Sequence, residues 1–443
     1  MKLEPRFPQY PTSCLTLTEV FESPGGGLAW LVGTDPKELL QRGGSLFLAS
    51  GAAHLLNYLY HVLLSRALGP ADYGAFVALL SLFLLLAIPM NTLQTTIALE
   101  ASTRHPEHLG PFILGLLRVM RRRWLQAGLL GWVVLALASP WIARVLQLPT
   151  ALPVIVMGGY LVIATLLPAI RGIFQGTHAF GLLGATFLIE TSSKLLVGLT
   201  LVAFGLGVSG ATGGIILGAA VALVYGLWAL PRPDPPREGA APITMSPLLP
   251  SAVPIGLTLL FFAVMTSADV IAVKVLFPPR EAGYYAAAST AGRIVLFATW
   301  PVWAVLFPAM GRTGSASRMT RRGLWLGIGL TVLIAAPILA FYVLAPHLAT
   351  RILFGHQFLP GASLFWPLGL AMLAYQVAFL GMSHELAVGR QRFLRLAGLS
   401  TVVLVGLLIL IPRTLTGVAL TTLAVGAVTA ALMSWIGLAS KVR

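Results

Sequence analysis

The sequence predicts an all-α integral membrane protein: about twelve transmembrane helices in two six-helix lobes related by a parallel pseudo-two-fold repeat. Three observations carry this. Only 10% of the residues are charged and 57% are hydrophobic, with a mean hydropathy of +0.88, whereas a soluble domain carries about a quarter charged residues. Apolar runs of spanning length recur twelve times along the chain. The stretch RALGPADYGAFVA at 66–78 is nearly repeated as VLFPPREAGYYAA at 275–287, 209 residues later.

A spanning helix needs roughly 20 mostly apolar residues, because without water every backbone amide must be satisfied inside the segment. The expected spans are 44–67, 73–98, 124–147, 151–175, 179–205 and 208–230, then 247–277, 282–311, 323–345, 361–388, 393–412 and 416–440. They fall into an N-terminal lobe, 44–230, and a C-terminal lobe, 247–443. Between them PRPDPPREGAAPITMS, 231–246, is too rich in proline and charge to span and reads as a semi-rigid linker. Residues 1–43 are broken by Pro5, Pro8, Pro11, Pro24 and three glycines from Gly25, and read as a poorly ordered cytoplasmic tail. Their longest apolar run, Leu28 to Val32, is too short for a signal-peptide core.

Basic residues set the expected sidedness, since short cytoplasmic loops carry an excess of arginine and lysine. Twenty-one of the 29 fall in the tails and the even-numbered connections, against six in the odd-numbered ones. Both termini are therefore expected in the cytoplasm. The same placement accounts for the formal charge of +15, which in a soluble chain would point to nucleic acid. The single cysteine, Cys14, excludes an internal disulfide.

At an offset of 209, Pro70 matches Pro279, Asp72 matches Glu281, Gly74 matches Gly283 and Phe76 matches Tyr285. Each copy reads as the tight outer turn between the first and second helices of its lobe, with proline presetting the turn and glycine letting the next helix start close to its neighbour. Gly176 and Phe180 match Gly389 and Phe393 at an offset of 213, opening the fifth helix of each lobe. Six crossings return the chain to the side it left, so the two lobes share one orientation and an axis along the membrane normal.

Three of these stretches, RALGPADYG after the first span, RGIFQGTHAFG before the fifth and ADVIAVKVLFPPREAGYYAAAS across the seventh and eighth, resemble the O-antigen and polysaccharide flippases. Those belong to the multidrug, oligosaccharidyl-lipid and polysaccharide exporter superfamily. The resemblance covers residues 36–440. It implies a two-lobed bundle in the bacterial inner membrane that turns a polyprenyl-diphosphate-linked oligosaccharide from the cytoplasmic to the outer leaflet. Its partners would be that lipid-linked substrate, membrane lipids and the glycosyltransferases or polymerase of the pathway.

Ionisable side chains inside spans are few, and each costs about 2.5 to 3.5 kcal/mol near the bilayer centre unless it has a partner or a function. Glu190 and Lys194 stand four apart in the fifth span, the order and spacing of an intrahelical pair. They read either as self-neutralising or, for Glu190, as a titratable coupling site. Asp269 and Arg293 lie roughly 12 and 18 Å below the second outer turn at 1.5 Å per residue. They are expected either to lock two helices by a salt bridge or to place Arg293 on phosphate oxygens, with Asp269 tuning it; the planar guanidinium grips such oxygens in pairs. Arg66 and Lys274 end equivalent helices, where snorkelling explains them unless they guide a diphosphate toward exit. His54, Asn57 and His61 share one face of the first span, a polar stripe that glues helices or lines a wet cleft. Glu100, Arg171, His384 and Glu385 approach span ends, where interfacial solvation accounts for them.

No G-x-x-x-x-G-K-[ST] phosphate loop occurs, so ATP hydrolysis by that device is excluded. No outer loop is long enough for a catalytic domain, and no metal or cofactor signature stands out. The expected function is non-enzymatic alternating-access transport of a lipid-linked oligosaccharide. The alternatives are a multidrug or cation antiporter of the same superfamily, which needs an acidic aromatic pocket, and a membrane glycosyltransferase or polymerase.

Overall fold

The computed structural model describes residues 36–103, 106–230, 249–312, 318–387, 390–410 and 414–439; the linker 231–246 and residues 1–35 of the expected tail 1–43 lie outside them, while residues 36–43 of that tail are helical. The helices are α1 (36–68), α2 (70–103), α3 (106–145), α4 (152–176), α5 (Phe180–Leu201), α6 (Gly207–Ala229), α7 (249–276), α8 (Pro279–Arg312), α9 (Arg318–Leu344), α10 (Phe365–Ala387), α11 (Phe393–Leu410) and α12 (Leu415–Ala439). Nine stretches among the described residues are long and apolar enough to cross a membrane. Two of them, Leu48–Leu86 and Phe180–Ala229, double back at the breaks around Gly69 and Gly205 and hold two passes each. With α8 this gives the twelve passes the sequence predicts.

Backbone chemistry sets the breaks. Gly69 has φ +72°, a left-handed conformation open to glycine, and Pro70 then starts α2. Ala87 interrupts α2 just before Pro89, which offers no amide and crowds the preceding turn. The helix α7 breaks at Thr266 and Ser267 and restarts as Ala268–Leu276. Boundaries differ from the sequence reading at both ends of the first lobe's helices: α1 begins at Pro36 and α3 at Pro106, where the basic run Met120–Trp124 is taken up as one widened helical turn. Between α9 and α10 a short helix, Pro346–Leu353, and a tighter one, His356–Leu364, form a cap at the end of the molecule that bears the repeated turns. We call that end the turn side and the opposite one the arginine side.

The same five pairings recur in each lobe: first helix on fifth, second on fourth, third on fourth, fourth on sixth, fifth on sixth. Between lobes, α1 and α2 pack on α7 and α8. Buried aromatic side chains, among them Tyr60, Tyr73, Phe76, Tyr285, Phe354, Phe358 and Phe365, fill the seam and its turn-side cap. The large apolar side chains of α3 face outward, with Leu137 at 78% exposure, as befits a helix whose solvent is lipid.

Candidate functional site

The polar groups of the interior fall into three sets. In the N-terminal lobe, α5 presents Glu190 and Lys194, but they do not pair with each other. Glu190 Oε2 lies 2.6 Å from Arg171 Nη2 of α4, and the same guanidinium donates to the Thr186 hydroxyl and carbonyl at 3.1 Å and sits 4.2 Å from the Phe187 ring centroid. The expected intrahelical pair is thus replaced by one between helices. Arg171, assigned from sequence to interfacial solvation, is buried. Lys194 Nζ donates instead to Asn57 Oδ1 of α1 and lies 5.3 Å from the centroid of the Tyr60 ring, whose hydroxyl donates to the Ala211 carbonyl.

The second set lies where the lobes meet. The break in α7 frees the Thr266 carbonyl from its helix, and Arg293 Nη2 of α8 donates to it at 3.0 Å and to Ser81 Oγ of α2 at 3.2 Å. The Tyr73 hydroxyl donates to Thr290 Oγ1 at 3.2 Å and lies 3.2 Å from His61 Nδ1. His54 stacks on Phe297 across the seam, ring centroids 5.4 Å apart. Of the two readings of Arg293 and Asp269, the direct salt bridge is not made among the described residues. Asp269, fully buried in the first turn of the second α7 segment, accepts from the Tyr285 hydroxyl at 2.8 Å, and its Oδ1 has no hydrogen-bond partner among the described residues. Its partner Tyr285 stands on α8 eight residues, about two turns, before Arg293.

Two expected site residues go elsewhere. Arg66 Nη2 donates to the Ile352 carbonyl of the turn-side cap at 2.7 Å. Lys274, expected to snorkel, is buried at 1% exposure, with the Asp72 carboxylate acting on it from the opposite turn. The third set is His384, Glu385 and Arg390 at the arginine end of α10: His384 Nδ1 and Arg390 Nη1 lie 3.3 and 4.0 Å from Glu385 Oε1. Both acidic and imidazole groups are buried there, although their position suggested interfacial solvation.

What remains is a pair of cations. Lys194 from one lobe and Arg293 from the other are each held by neutral oxygens, are each partly accessible, and form no ion pair among the described residues. Counted along their helices from Gly69 and from Glu281, Asn57, which holds Lys194, and Arg293 each lie about 18 Å down, near mid-membrane depth. Ser81, Tyr73, Tyr285 and the Thr266 carbonyl were not legible as site components, because hydroxyls and carbonyls in an apolar helix carry no signal of what approaches them.

Comparison with known proteins agrees with this architecture. Residues 39–314 match the family described as polysaccharide biosynthesis protein. No curated protein sequence matches the chain. Among solved structures, an inward-facing multidrug resistance MATE family transporter of the MOP superfamily is similar at a TM-score of 0.69 and 15% identity, over 87% of this chain and 93% of that one. The lipid II flippase MurJ in its inward closed conformation is similar at 0.68 and 13% identity, over 89% and 87%. At such identities the likeness establishes the fold. The chain is a multi-pass membrane protein with the fold of the MOP-superfamily transporters, and it belongs to the polysaccharide biosynthesis protein family.

Proposed function

We propose that this protein is a non-enzymatic, alternating-access flippase that carries a polyprenyl-diphosphate-linked oligosaccharide across the bacterial inner membrane during polysaccharide or O-antigen biosynthesis. The observation that carries the reading is the pair Lys194 and Arg293: two mid-depth cations, one per lobe, each hydrogen-bonded to neutral oxygens and neither in a direct ion pair among the described residues. Each is costly in a bilayer, and a diphosphate between them would repay both. Charge-assisted hydrogen bonds of roughly 1.5 to 3 kcal/mol each offset the head group's lost hydration without binding it too tightly for release. The lipid tail stays in the bilayer. Family membership and the similarity to a lipid II flippase support the same substrate class. The arginine-rich side is cytoplasmic in this reading, with both termini inside, so the head group comes in from the arginine side while the turn side is closed.

The antiporter alternative needs an unneutralised acidic pocket. Of the four acids near or within spans, Glu190 is paired with Arg171, Glu385 stands beside Arg390 and Asp269 is held by a neutral donor; Glu100 is the fourth. The balance favours an anionic ligand. In a flippase-deficient strain, Arg293→Ala and Lys194→Ala at matched membrane levels are expected to abolish complementation, with Arg293→Lys restoring part of it. Full complementation by the double alanine variant would remove the pair from the site, and export of organic cations by the parent would favour the antiporter.

A further inference from the structure

The turn side is closed by two hydrogen bonds that the repeat maps onto each other. Arg66, at the end of α1, donates to the Ile352 carbonyl in the α9–α10 connection at 2.7 Å. Gln147, in the α3–α4 connection, donates through Nε2 to the Val275 carbonyl at the end of α7 at 3.1 Å. Residues 66 and 275 are separated by 209, the offset that superposes the two turns, and the α3–α4 and α9–α10 connections are likewise counterparts. Each bond joins the first helix of one lobe to the third-to-fourth connection of the other.

Both acceptors are last-turn carbonyls of helices, Ile352 in Pro346–Leu353 and Val275 in Ala268–Leu276. Such carbonyls have no partner within their own helix and carry the negative end of its dipole. Water can satisfy them when the bond opens, so each bond is made and broken at small net cost. The seal is otherwise aromatic, with Phe354 and Phe358 of the cap set 5.9 and 5.8 Å from the Tyr73 ring. Tyr73 in turn touches His61 and Thr290 in the seam below.

We propose that the bonds donated by Arg66 and Gln147, which occupy counterpart places in the two lobes with donor and acceptor exchanged, are paired latches that hold the turn side shut, and that release of both is the step that opens the protein to that leaflet. Arg66 is thereby a gating residue, not a ligand of the substrate. The proposal rests on the alternating-access cycle proposed above, yet it is judged without any substrate, so the two can fail separately.

The test places a cysteine at Thr290, under the seal, in a Cys14→Ser background, and measures its labelling by a membrane-impermeant thiol reagent applied to the turn side of sealed vesicles. Arg66→Ala should speed labelling about three- to tenfold and Gln147→Ala about two- to fivefold, the charged donor being the stronger. The double variant should approach the product of the two, and Arg66→Lys should recover part of the closure. Trp132→Phe, which removes a bond within one lobe from Trp132 Nε1 to the Ile155 carbonyl, should leave the rate unchanged. A double variant present at parental level in the membrane and labelled no faster than the parent would overturn the latch, as would equal acceleration by Trp132→Phe.

Discussion

Gly74 and Gly283, equivalent glycines of a duplicated turn 209 residues apart, touch each other at the seam between the lobes. A Cβ on Gly74 would stand 2.8 Å from the Gly283 nitrogen, and one on Gly283 would stand 1.9 Å from the Pro70 carbonyl oxygen. Both copies of the turn therefore sit at the same end of the molecule, which is the parallel relationship the repeat implies. The contact is backbone on backbone, and no rotamer change can make room.

Gly283→Ala should accordingly lower thermal stability by about 2 kcal/mol or more, the scale of overpacking a rigid site, with Gly74→Ala milder. Gly406→Ala, where nothing lies within 4 Å, should be neutral or stabilising by up to about 1 kcal/mol, since alanine is the better helix former. Melting curves of the detergent-purified variants measure both. A Gly283→Ala protein as stable as Gly406→Ala would show that the lobes do not meet here.

Arg171 and Glu190 form a partly buried pair between α4 and α5. Glu190→Gln or Arg171→Ala alone should cost roughly 3 kcal/mol, because each leaves a charge without its partner in a low-dielectric setting. Replacing both, Arg171→Met with Glu190→Leu, should recover most of the loss. A double-mutant cycle in thermal stability yields the coupling, and additive losses would dissolve the pair.

Tyr285→Phe removes the side-chain hydrogen bond that Asp269 accepts and should destabilise the protein by about 1 to 3 kcal/mol, the cost of leaving a buried acceptor unmet. Adding Asp269→Asn, which removes the charge, should restore part of that stability. If Asp269→Asn worsens the Tyr285→Phe protein, another group satisfies the carboxylate.

Lys274 is buried and sits on the sealed turn side. Lys274→Met keeps its length without its charge and should change stability by less than about 1 kcal/mol, since Asp72, the carboxylate acting on it, is only partly buried and solvent can take up its charge. Complementation should persist as well, in contrast to Arg293→Ala. Loss of complementation at full stability would return Lys274 to the substrate path.

The sequence by itself determined the membrane class, the twelve passes and the duplication, because these rest on local quantities: the length of apolar runs, the placement of Gly and Pro, and the recurrence of one turn. Phe180 and Phe393 do open equivalent helices, as their spacing implied, while Gly389 lies outside the described residues. It singled out Lys194, Arg293 and Asp269 because charge is rare where charge is expensive, and Asn57 as part of a polar stripe on the first span. Only the tertiary structure decided their partners. Glu190 chose Arg171, 19 residues away, over Lys194, four away on the same face; Lys194 reached Asn57 across 137 residues, and Arg293 reached Ser81 across 212. A buried charge takes the best-placed opposite charge or oxygen that packing brings to it, and packing between helices is set by the whole bundle rather than by spacing along one of them.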